Sequence, residues 1–230
     1  MKDSLSQTVI VASLLAVLAS SPMPLNLAAT ATTHARQQSR SVKNQELVST
    51  RVPAIRIKFD RTFKYAGHQS FVLYEVANAE QHFFVDADKQ GRIKRLYWIQ
   101  FEGYLPNNTH TYRYKAGKTL DIAGWSFFAD ANALNIKAAT SRPDSDGSRA
   151  QAFLQGKGYR LASDEILMQR LVHVTDDTKR NELMIIYMED LSDRGLTAKD
   201  LGKGGSAAGR WNEISAGLLD RAIKGMKLSR

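Results

Sequence analysis

Cysteine is absent from all 230 residues. That excludes a disulfide framework, a thiolate nucleophile, covalently attached haem and a lipid-bearing cysteine. A run long enough to cross a bilayer is missing too. The amino-terminal apolar stretch from Val9 to Ala19 has 11 residues, where a spanning helix needs about 20. There is no HExxH, no G-x-S-x-G elbow and no full P-loop. Zinc-finger spacing and RNP-type aromatic runs are also missing, so specific nucleic-acid binding is not expected. The histidines His34, His68, His82, His110 and His173 show no metal-ligand spacing, so neither metal nor cofactor is expected.

What is present is ordinary globular composition, 43% hydrophobic and 24% charged, enough for a real core. Lys2, the short apolar run and small residues around Ala29-Thr30-Ala31 have the order of a signal peptide over residues 1–31. A secreted or periplasmic protein with no membrane span after signal removal is the expectation. Residues 32–50 are rich in Ala, Thr, Ser, Gln and Arg without an apolar period, and read as a flexible leader. Residues 51–230 then form a single α+β domain. The net charge of +9 favours anionic partners such as an envelope surface.

Strand signals dominate after Val52. "VPAIRIKF" alternates Ile55, Ile57 and Phe59 against Arg56 and Lys58, as an edge-like strand does. "SFVLYEVA", "QHFFVDA" and "RIKRLYWIQFE" resemble a meander. "TLDIAGWSFFA" reads as one strand with Gly124 at a bulge. "RAQAFLQ" reads as a short helix, and "EILMQRLVHVT" and "ELMIIYMEDL" as two further strands. Trp211, Ile214, Leu218, Ala222 and Met226 make one helical stripe, with Ser206 as its N-cap. The fold expected is an antiparallel, curved sheet of six to eight strands with a C-terminal helix packed on it.

"VDADKQGRIKRLY" carries part of a calcium-loop pattern in Asp86, Asp88 and Gly91. Position 12 of such a loop is Tyr97 rather than a bidentate glutamate, and the flanks are strand-like. A tight turn uses every residue: Asp88 opens it and Gly91 takes the left-handed position of a G1 bulge. Pairing Asp88 with Arg92 sets His82 opposite Trp98. A second hairpin at Asn78-Ala79 sets Glu75 opposite His82. One face then carries Glu75, His82, Trp98 and Gln100, where a small molecule or carbohydrate could bind.

Three functions follow from that surface. The first is an exported, noncatalytic binding or envelope-associated protein with an aromatic and polar pocket. The second is a hydrolase or lyase-like enzyme using Glu75 and His82 as an acid–base pair. The third is a structural interaction module docking through the Arg56–Lys58 strand. A separate anion site is conceivable at Lys203, Gly204, Gly205 and Ser206, ahead of the last helix; a glycine linker is the plainer reading.

Overall fold

The structure is a computed structural model that describes residues 39–114, 117–139 and 142–230. The stretch 1–31, expected to be a signal peptide, and residues 32–38 of the expected leader lie outside the described residues. In chain order the elements are β1 (Arg40–Lys43), β2 (Glu46–Ser49), β3 (Ile55–Phe59), β4 (Lys64–Leu73), β5 (Ala77–Ala87), β6 (Arg92–Tyr104), β7 (Lys118–Ile122), β8 (Trp125–Asn135), α1 (Ile136–Ala139), α2 (Asp146–Gly156), β9 (Arg160–Leu161), β10 (Glu165–Val174), β11 (Asn181–Asp190), α3 (Ala198–Leu201), α4 (Trp211–Lys224) and β12 (Met226–Ser229).

The strands form two sheets. The large one has eight strands in the order β4-β5-β6-β11-β10-β8-β7, with β9 added in parallel to β6; the small one runs β1-β2-β3-β12. The mainly antiparallel sheet with α4 packed on it is the architecture the sequence implies. The second sheet goes beyond it, and it moves two boundaries. Residues 40–49 are not a flexible leader, because β1 and β2 pair into the small sheet. Nor is β3 an edge: β2 and β12 flank it on either side.

Both faces of the large sheet are covered, which explains why its central strands lack clean alternation. Small-sheet residues Leu47, Ile57 and Phe59 and the α4 residues Ile214, Leu218 and Ala222 pack over Phe84, Tyr97, Ile99 and Tyr187. On the opposite face, Ala150 and Leu154 of α2 cover Phe83, Val85, Trp98 and Ile186. The first face is joined by a Phe59–Phe84 stack at 4.0 Å. Helix α4 is fixed by polar contacts as well: Tyr97 Oη donates to the Ala222 carbonyl at 2.8 Å. Arg221 grips the Glu189 carboxylate at 2.6 and 2.8 Å. The helical stripe ends at Ala222, since Met226 belongs to β12.

Three turns decide what faces what. At Asp88–Arg92 the expected hairpin forms: Asp88 N–H donates to Arg92 O at 3.0 Å, Gly91 N–H to Asp88 O at 3.1 Å, and Gly91 has φ +75°. A Cβ on Gly91 would also lie 2.2 Å from the Gly158 carbonyl. The next reversal is not at Asn78-Ala79. It falls at Tyr74 and Glu75, with φ of 48° and 59°, and it splits "SFVLYEVA" between β4 and β5. Likewise Ala123 and Gly124, at φ 55° and 79°, turn β7 into β8 instead of bulging one strand.

Candidate functional site

The structure parts the four residues that the sequence groups together. Ala87 faces Ile93 but Asp86 faces Arg95, so Lys94 is an extra residue in β6 and the register slips by one. A slip of one residue exchanges the faces of a strand. His82 therefore stands opposite Ile99, and Trp98 opposite Phe83. The imidazole points to the small-sheet side and the indole to the α2 side. Glu75 is exposed in its turn, far along the strand from His82. Only Trp98 and Gln100 share a face. The proposed four-residue pocket is thus corrected by a single bulge and a displaced turn.

A different set gathers on His82. Glu80, two residues earlier on the same face of β5, accepts from His82 Nε2 at 2.8 Å and from Arg40 Nη1 at 2.8 Å. Tyr65 Oη lies 3.1 Å from His82 Nδ1 and 3.3 Å from His68 Nδ1. His68 and His82 face each other across β4 and β5 with ring centroids 5.3 Å apart. The Arg40 guanidinium sits 3.7 Å over the Phe101 ring.

Electrostatics fix the direction of these bonds. Burial works against the Glu80 anion, but the His82 hydrogen bond and the Arg40 charge outweigh it and hold the carboxyl below its ordinary range. Burial pushes the His82 imidazole down, against the upward pull of Glu80. With Glu80 ionised and His82 neutral, Nε2 carries the proton and Nδ1 accepts from the Tyr65 hydroxyl. Tyr65 oxygen is then the acceptor for His68. The phenol itself is pushed up to about 12 by burial and by the Glu80 charge. The hydroxyl stays protonated at neutral pH and serves the two histidines as a hydrogen-bonding group.

Sequence reasoning could have found Glu80, which shares a face with His82 by simple alternation. The assumed turn at Asn78-Ala79 hid it. Tyr65 and His68 precede the stretch read as a strand, and Arg40 lies in the stretch read as a leader.

On the opposite face, Gln69, Gln81 and Gln100 stand in register on β4, β5 and β6. Each amide passes a hydrogen bond on: Gln69 to Gln81 at 2.7 Å, Gln81 to Gln100 at 2.8 Å, and Gln100 to Glu102 at 2.8 Å. Gln69 and Gln81 also hold the α2 backbone at Arg149 and Asp146. Gln100 is fully buried and committed to this ladder. Trp98 packs against Phe83 in the α2-side core. These two residues build the interior rather than a stacking platform.

The ladder ends at a pair of carboxyls. Glu102 and Glu182 oppose each other on β6 and β11. Tyr112 donates to Glu102 at 2.7 Å and Tyr114 to Glu182 at 2.6 Å. Burial raises both groups, against those hydrogen bonds, and takes Glu182 up to about 8.

In the glycine-rich segment before α4 the expected serine cap does not form. Ser206 Oγ donates to Asp200 at 2.7 Å instead of capping α4, which starts at Trp211. Hydrogen bonds from Thr197 and Ser206 lower the Asp200 carboxyl to about 2. Gly205 is required because a Cβ there would come within 2.3 Å of the Asp200 and Lys199 carbonyls. Lys203 and Gly204 border this packed turn, whose carboxylate, Asp200, already accepts from Thr197 and Ser206. Asp86 and Asp88 are likewise engaged, by Arg95 and Arg92. Among the described residues no group of three or more His, Asp or Glu side chains is placed to hold a metal ion.

No protein-family model, curated protein or solved structure matches the chain.

Proposed function

We propose that this is an exported, noncatalytic binding protein that holds a polyhydroxylated, carbohydrate-like ligand at the exposed end of the His68–Tyr65–His82–Glu80 chain. The observation carrying this reading is the chain itself. Four polar side chains are linked in series from exposed His68 through Tyr65 and His82, which is 1% exposed, to Glu80. Burying such groups costs free energy that an apolar pair would not. A neutral imidazole and a phenol offer both donors and acceptors to hydroxyl groups, and the His68 ring offers a flat face to a sugar. The raised phenol supports binding over nucleophilic attack. The apolar run Val9–Ala19 supports export.

The test is an NMR titration of the imidazole nitrogens with a panel of mono- and oligosaccharides. Shifts at His68 and His82 that vanish in His68→Ala are the expected result. No shift at either ring across the panel rejects the reading.

One observation favours a second reading, a hydrolase or lyase-like enzyme. Glu80, His82 and Tyr65 stand in the order carboxylate, imidazole, hydroxyl, the order acid–base catalysis uses. Turnover of any substrate, abolished in His82→Asn with binding retained, would favour it.

A further inference from the structure

The outer face of the small sheet is cationic by construction. Strand alternation sends Leu47, Ile57, Phe59 and Leu228 inward and leaves Ser41, Lys43, Glu46, Val48, Arg56, Lys58, Lys227 and Ser229 on the other side. The register places Lys43, Glu46, Lys58 and Lys227 in one row across all four strands. At about 4.8 Å per strand that row spans roughly 14 Å. Its one anion, Glu46, is taken by Arg56 at 3.1 and 3.2 Å. Lys58 reaches the Asn44 carbonyl. No carboxylate among the described residues pairs with Lys43, Lys58 or Lys227. Lys58 and Lys227 are directly opposed, an arrangement of like charges that costs stability unless something anionic lies over it.

We propose that this face seats the protein on an anionic phospholipid surface. Charge complementarity argues for an anion, and the face carries no aromatic ring on which a sugar or a base could stack. The exposed cations are spread over neighbouring strands, Lys43, Arg56, Lys58 and Lys227, and can meet several headgroup phosphates of a lipid surface together. All three lysines are exposed, and the chain's net charge of +9 adds attraction at longer range. Attachment is peripheral and electrostatic, independent of whatever occupies the histidine site.

The test is co-sedimentation of the full chain with phosphatidylcholine vesicles, with and without phosphatidylglycerol, beside a Lys43→Gln, Lys58→Gln, Lys227→Gln variant. The wild type binds only the anionic vesicles and leaves them in about 1 M salt, where the screening length falls to about 3 Å. Each lysine removed weakens binding roughly five-fold, and all three on the order of a hundred-fold. The variant keeps the wild-type circular dichroism, since all three side chains are exposed, and it melts no lower than wild type, since the opposed Lys58–Lys227 charges are gone. Equal binding by variant and wild type, or by neutral and anionic vesicles, overturns the proposal. Both are the outcomes expected if the apolar run Val9–Ala19 does the attaching. Retention on a sulfated polysaccharide with no vesicle binding overturns it too.

Discussion

Glu102 and Glu182 oppose each other across β6 and β11, each receiving a hydroxyl hydrogen bond from a tyrosine two residues apart on one loop. Arg170 and Asp146 act on Glu182 from β10 and α2, with opposite signs. Two carboxylates cannot both ionise cheaply in such a place, so one proton stays with the pair at neutral pH. Glu182 has a folded pKa near 8, above its unfolded value. Its stability contribution is therefore intact below the unfolded pKa and is lost as pH rises through the folded one. Glu182→Gln should remove that loss. The melting temperature of the variant relative to wild type should increase between about pH 5 and about pH 9. A difference independent of pH would contradict the assignment.

His82 gives the opposite sign. Its folded pKa is lowered, chiefly by burial, so stability is present above the unfolded histidine value of about 6.5 and declines as pH falls below it. Glu80, also lowered, acts in the same direction at lower pH. His82→Gln should cost about 1–2 kcal/mol at neutral pH through lost hydrogen bonds. It should also flatten the acid decline, as chemical denaturation at a series of pH values will show.

Gly225 ends α4 against Tyr97. A Cβ there would sit 2.4 Å from the Tyr97 hydroxyl, so Gly225→Ala should destabilise by about 2 kcal/mol. Tyr97→Phe removes the obstructing oxygen along with its bond to Ala222. In that background the alanine should cost less than in the wild type. A double-mutant cycle measures this directly; strict additivity would mean that the helix end simply moves.

Gly91→Ala meets two obstacles, a left-handed φ of +75° and the Gly158 carbonyl at 2.2 Å. The loss should be about 2–4 kcal/mol. Gly124→Ala is the control, because its φ is +79° but nothing lies within 4 Å of the added carbon. It should lose only about 1 kcal/mol. Equal losses at the two sites, measured by urea unfolding, would show that the contact with Gly158 is immaterial.

The hairpin at Asp88–Gly91 was legible because its chemistry is local: an aspartate to accept amide hydrogens and a glycine for the left-handed position. The α4 stripe was legible because Ile214, Leu218 and Ala222 repeat with the helix. The bulge at Lys94 has no such signature. It is a one-residue excess between otherwise regular strands, and it sent Trp98 away from His82. Tyr74 and Glu75 are poor choices for positive φ, so their turn is imposed by what β4 and β5 pair with. Arg40 looked like part of a polar linker because the partner that buries it, Glu80, comes 40 residues later. Candidate-site residues set by local turns were readable; those set by distant pairing were not.

The pairing of β12 with β3 ties Met226 to Phe59 and Leu228 to Ile57. Nearly the whole described chain must be threaded between these partners before the small sheet can close. Such sequence-distant zippering is slow to nucleate. Until those final residues arrive, Ile57 and Phe59 stand along a raw, unpaired margin, the kind of surface that invites chain-to-chain sticking. Clipping the polypeptide just ahead of Met226 would make that transient hazard permanent.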